Sequence, residues 1–267
     1  MNVSVPKAPF AWQPLTVRGV AAFASASWGR LLIVQFMVAL LAAGTVVWLL
    51  HKAWFPQIGE AIRQLPPQGE LRSGRLDWQG ATPARLAEGR FLALVVDLDH
   101  TGGARSPAHV QVEFGRADYE IFSLLGYVSG PYPRDWVVAF NRTELVPWWG
   151  AWAPAILALV AGLVVVGLMV SWVCLGMVYF LPAWLVGFFA NRDLSLPGSW
   201  RLAGAALMPG ALLLSAVIVL YGWGALDLVR LAISAIVHLV MGWVYLFVSP
   251  LCLPRRQAAA AKENPFA

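Results

Sequence analysis

Between Leu145 and Asn191 lie 47 consecutive residues without a formal charge, more than twice the ~20 residues a helix needs to cross ~30 Å of hydrocarbon. A run of that kind belongs in lipid or in a very large core, and a chain of 267 residues has no room for the latter. Composition agrees, since 59% of residues are hydrophobic and 12% charged, against ~25% charged in an average soluble domain. A soluble enzyme is excluded. The charges are also segregated. Residues 52–147 hold ten Lys/Arg and eleven Asp/Glu, whereas the rest of the chain has nine basic and three acidic residues.

Four apolar segments are read as spans: 31–50, 154–180, 203–222 and 228–249. The long run is assigned one span and not two, because Gly167 to Tyr179 contains no turn cluster while Leu181-Pro182 can end a helix that starts near Pro154. Pro209-Gly210 predicts a kink in the third span. Residues 1–30 form a cytoplasmic or interfacial segment, 181–202 a cytoplasmic or interfacial loop, and 250–267 a cytoplasmic tail. These three carry three, two and three Lys/Arg, so the positive-inside rule places both termini in the cytoplasm and residues 51–147 outside. No small-residue cleavage site closes the first span, which therefore reads as an uncleaved anchor. Trp148, Trp149 and Trp152 fall where an aromatic belt would anchor the second span at the outer interface. The fold class expected is an all-α four-helix transmembrane bundle with a small α+β extracytoplasmic domain between spans 1 and 2.

Within that domain, Ile58, Ala61, Ile62 and Leu65 have helical spacing, and Pro66-Pro67 stops the helix. Arg90 to Asp99 reads as a buried strand ending at a Thr101-Gly102-Gly103 turn. Val110, Val112 and Phe114 alternate with polar residues, Gly115 to Asp118 can turn, and Tyr119 to Phe122 completes a hairpin. Leu71 to Trp78 is a weaker strand. Both cysteines, Cys174 and Cys252, lie in or beside spans, so the domain has no disulfide.

The order of these features, with Ala61-Ile-Arg-Gln-Leu-Pro66, Gly69-Glu-Leu-Arg-Ser-Gly-Arg-Leu and Leu94-Val-Val-Asp97 in the loop, resembles a domain-of-unknown-function family of bacterial membrane proteins. Some members of that family are labelled maltodextrin utilisation proteins. The resemblance implies a bacterial inner-membrane location and carries over no catalytic residue.

Candidate chemistry is sparse. His238 lies mid-span, where an ionisable group is costly; it is a proton relay or haem ligand in one reading and a neutral imidazole bonded to another helix in the other. A second histidine at that depth is lacking for haem. Asp97, Asp99, His100 and His109 gather at one strand end and the next strand start, with donor types a divalent ion accepts, yet Asp before Thr-Gly-Gly is ordinary turn chemistry. Asp227 and Arg230 are spaced to pair on a helix. Small-residue pairs, Ala39/Ala43, Ala158/Gly162, Gly167/Ser171 and Ala206/Gly210, favour close helix packing within the bundle. No nucleophile triad, phosphate loop or His-Glu-x-x-His is present, so no metal or cofactor is expected.

The function expected is therefore noncatalytic: an accessory or scaffold subunit of the inner membrane that binds an envelope partner through its extracytoplasmic domain. A homo-oligomer is a further option, the bilayer is the standing partner, and nucleic acid is excluded because the aqueous domain carries no basic patch. The alternative is a transporter or channel component with a polar intramembrane site near Gln35 and His238. The topology is open to a direct check. In a Cys-free background, a cysteine at Ser106 should react with an impermeant thiol reagent in intact cells, and one at Ala259 only after lysis; equal labelling from outside would overturn the four-span arrangement.

Overall fold

The structure, a computed structural model, describes residues 13–256; the outer parts of the expected N-terminal segment and C-terminal tail, 1–12 and 257–267, lie outside them. A short helix α1 (Val17–Ala22) is capped by Thr16, whose hydroxyl accepts from the Gly19 amide. Then come α2 (Trp28–Leu49), α3 (Phe55–Gln64), eight strands, α4 (Arg142–Phe189), α5 (Leu196–Ala206), α6 (Met208–Gly222) and α7 (Leu228–Val248). Among the described residues four helices are long and apolar enough to cross a membrane, over Trp28–Gln64, Arg142–Phe189, Leu196–Gly222 and Leu228–Cys252, and a sheet-rich region at 70–139 separates the first two.

Four of the expected helix ends need correction. A π turn over Leu50–Trp54 joins α2 to α3, so the first span and the helix that follows it are continuous until Leu65, just before Pro66-Pro67. Pro182 does not stop the second span, nor does the helix begin at Pro154: α4 is one helix of 48 residues, about 72 Å at 1.5 Å per residue. Proline costs one backbone bond but is tolerated in apolar helices whose neighbouring turns remain intact. The stop comes where the sequence supplies a left-handed residue, Asn191 at φ 52°, with the Arg192 amide donating to Gly187 O. Ala183 to Phe189 is thus helix and not interfacial loop. The third span also begins earlier, at Leu196, where Ser195 caps α5 by accepting from the Gly198 amide. Helix α5 gives way to α6 across Leu207, two residues before Pro209, which is the expected kink.

The chain divides into two compact units, each with its own core. The first, over 1–44, 162–217 and 232–267, packs Val20, Phe23, Leu31, Val38, Trp172, Leu202, Met208 and Leu246 together. Its small residues allow close approach: a Cβ on Gly210 would stand 2.6 Å from His238 O, so α6 and α7 nearly touch there. Ala39 and Ala43 are buried as expected, but nothing among the described residues stands within 4 Å of a Cβ built on Gly162 or Gly167.

The second unit, 45–161 with 218–231, holds the sheets. The expected strand at Leu71 to Trp78 is a hairpin of β1 (Glu70–Arg72) and β2 (Arg75–Asp77), reversed by Ser73 and Gly74 at φ 49° and 72°, with β8 (Val137–Ala139) on the other side of β1. The larger sheet has the order β3 (Ala84–Glu88), β4 (Leu92–Val96), β5 (Val110–Phe114), β6 (Asp118–Ser123) and β7 (Gly126–Pro131). All its pairings are antiparallel except β4 with β5, which is parallel. Leu76, Leu86, Leu92, Leu94, Val96 and Tyr132 form its core beside Ala61 and Leu65 of the α3 end. Leu92, buried in β4, should cost about 2–5 kcal/mol on replacement by Ala, measured as lost amide-exchange protection in β4 and β5. Leu125→Ala, at an exposed position, should change protection by about 0.5 kcal/mol or less.

Candidate functional site

Because β4 and β5 run parallel, residues 97–109 must cross from the end of one strand to the start of the other. Asp97 organises the first turn of that connection. Its Oδ2 accepts from the Thr101 hydroxyl at 2.8 Å and the Gly102 amide at 2.9 Å, and its carbonyl accepts from the His100 amide. Burial works to raise the Asp97 carboxyl, but the bonds from Thr101 and the backbone amides outweigh it and hold it below the ordinary value. The strand expected to run on to Asp99 ends instead at Val96, so Asp97 and Asp99 do not line one strand face: Asp97 is a turn anchor, and Asp99 is an exposed partner of Arg116 at 3.2 Å.

The same turn throws His100, at φ 50°, onto β5 and β6. Its Nδ1 lies 2.7 Å from Glu113 Oε1 and 3.5 Å from Glu120 Oε2, and its Nε2 lies 3.1 Å from Asp118 Oδ1. Glu113 is 1% exposed, and its second oxygen accepts from the Gln111 amide group at 3.0 Å. Gln111 Oε1 in turn accepts from the Ser106 backbone amide, so the crossover is stitched to β5 at two points. The ring packs against Gly115, where a Cβ would stand 2.4 Å from Nε2. Burial alone would depress the imidazole, but hydrogen bonds to Glu113 and Asp118 and the charge of Glu120 push it up to about 9.

Sequence reasoning named His100 and missed its partners. Gln111 and Glu113 occupy the polar phase of an alternating strand, which reads as a solvent face; only the parallel crossover turns it into a covered one. His109 is not part of this group. Its Nδ1 lies 2.7 Å from the Tyr221 hydroxyl, and the edge of its ring meets Phe91. Beside it, Arg90 donates to Gly224 O at 3.1 Å.

The remaining candidates are dispersed. Gln35, 3% exposed, donates to Gly204 O at 3.2 Å. His238 donates through Nδ1 to Ala235 O of its own helix, not to another helix as expected, and this carbonyl fixes the proton on Nδ1. Each is satisfied separately, and among the described residues no hydrogen bond joins the two. Asp227 caps α7 by accepting from the Arg230 amide at 2.7 Å. Trp149 is packed on Phe55, with ring centroids 4.8 Å apart, whereas Trp148 and Trp152 are exposed. No protein family, curated protein or solved structure matches the chain.

Burial, and then the Arg90 charge, holds His109 below 6.5, with Asp227 opposing. A histidine whose folded value lies below its unfolded one contributes stability that is complete above pH 6.5 and is lost as pH falls through the folded value. The thermal midpoint should therefore drop on acidification below 6.5, and drop less in His109→Gln. An imidazole titration by NMR should place His109 below 6.5.

Proposed function

We propose that the chain is a multi-pass protein of the bacterial inner membrane, with both termini cytoplasmic, that acts by binding and not by turnover: an accessory or scaffold subunit whose sheet-rich domain engages an envelope partner. Membership of the bacterial membrane family it resembles belongs to the same proposal.

One observation carries the reading. Strand β7 lies at the edge of the larger sheet, with one row of backbone groups unpaired, and contains no charge among Gly126-Tyr-Val-Ser-Gly-Pro131. Leu124, Leu125, Tyr127 and Val128 around its start are each 66–70% exposed. Edges of this kind are normally blunted by charge or covered, because an open strand recruits another. An uncharged, apolar and open edge suits addition of an extended segment from a partner, where backbone bonds give affinity and side-chain contacts give selectivity. The alternative, a transporter or channel component, rests on Gln35 and His238, which bond separately to Gly204 O and Ala235 O.

A photo-crosslinking residue in place of Tyr127 should give one adduct of defined mass in intact cells, and Val128→Lys should remove it. The same crosslinker at Arg75, on the other sheet, should give none. An adduct of twice the chain mass would replace the envelope partner with a second copy, and no adduct at Tyr127 would overturn the docking reading.

A further inference from the structure

The register of β5 and β6 sets Glu113 directly opposite Glu120, and Asp118 shares the Glu120 face two residues away. Like charges directly opposite on neighbouring strands are destabilising, and here one of the two is buried. The arrangement requires a cation between them. A protonated His100 meets that requirement only in part. Its single Nδ1–H is given to Glu113, leaving Glu120 at 3.5 Å without a hydrogen bond among the described residues.

From this geometry we infer that His100, Glu113 and Glu120 form a site for one divalent first-row transition cation of the Zn2+ or Mn2+ type, bound by His100 Nδ1, Glu113 Oε1 and Glu120 Oε2. Metal–ligand bonds of about 2.0–2.2 Å put neighbouring donors about 2.8–3.6 Å apart around a tetrahedral or octahedral ion. Nδ1 stands 2.7 and 3.5 Å from its two carboxylate oxygens, and all three donors lie within 4.8 Å of one another. An ion there engages Glu120 as well as Glu113, which the Nδ1 proton does not.

The outer contacts match what a metal-bound histidine needs. Such a ligand normally donates its other ring N–H to a carboxylate, which fixes tautomer and orientation; here Nε2–H faces Asp118 Oδ1 at 3.1 Å. Gln111 holds the free oxygen of Glu113 in the same way. The imidazole nitrogen favours a transition cation over Mg2+ or Ca2+, which prefer oxygen donors throughout. Since His100 and Glu120 are partly exposed, water completes the coordination. The site goes beyond the docking reading and is tested apart from it.

The test uses the full chain in mild detergent, purified without a histidine tag, stripped with a chelator and titrated with Zn2+ and Mn2+ by calorimetry. One of the two should bind saturably at one ion per chain. Asp118→Asn should weaken binding about 10–100-fold, and Glu120→Gln about tenfold or more, both with the parent's circular dichroism spectrum. His100→Gln should abolish binding; if it fails to fold, the partly exposed Glu120 decides the matter. Absence of saturable binding by the parent, or unchanged affinity in both Glu120→Gln and Asp118→Asn, would overturn the assignment.

Discussion

Two adjacent parallel strands cannot be joined by a tight turn, and in the sheet-rich unit that constraint falls on β4 and β5. The chain must leave the end of β4 and return to the start of β5, and it does so through residues 97–109 without a helix. The grouping around His100 follows from this path. The connection lies against one face of β5, so the polar phase of that strand becomes interior. A buried carboxylate, Glu113, then needs a partner carried by the covering segment, and His100 is that partner. Asp97 makes the path reproducible by fixing the turn through Thr101 and Gly102.

The energetic logic of the site is that of a buried charge which cannot be left alone. Removing one partner of a buried pair leaves an uncompensated charge and is costly, whereas the pair itself adds little net stability. The group at His100 is therefore better regarded as specifying the crossover than as powering the fold, whose stabilisation comes from Leu86, Leu92, Leu94 and Val96. Three carboxylates around one imidazole also leave an excess of negative charge on that face. Gly115 supplies the space in which the ring can approach them, since any side chain there would collide with Nε2.

In the helical unit the governing term is different. Helices this apolar are long enough to cross a membrane, and between such helices in lipid, association rests on small residues and scattered polar bonds. Gly210 against the His238 backbone and Gln35 on Gly204 O are contacts of this kind. Helix α4 stands apart because so little of its apolar stretch is covered by its own chain. Gly162 and Gly167 are small residues with no atom of the described residues within 4 Å of where a Cβ would stand.

How much was legible in the sequence depends on the range of the interaction concerned. Charge-free runs determine their own helices, because a long apolar stretch satisfies its backbone locally; the four long helices, the stop at Pro66-Pro67 and the kink at Pro209 were readable for that reason. So were the hairpin around Gly115 and the turn role of Asp97, which depend on neighbours within a few residues. Pro182 misled, because a proline signals a lost bond but does not say whether the flanking turns carry the helix on to Asn191. Strand β8 depends on pairing with the distant β1, whereas β3 and β7 pair with their sequence neighbours β4 and β6 and were missed because short runs broken by Gly and Pro carry a weak alternation signal. Alternation showed that Glu113 and Val112 point to opposite faces of β5. It could not show that both faces are covered, since that was decided by the parallel partner and by a connection that brings His100 back across 13 residues to a carboxylate it must neutralise.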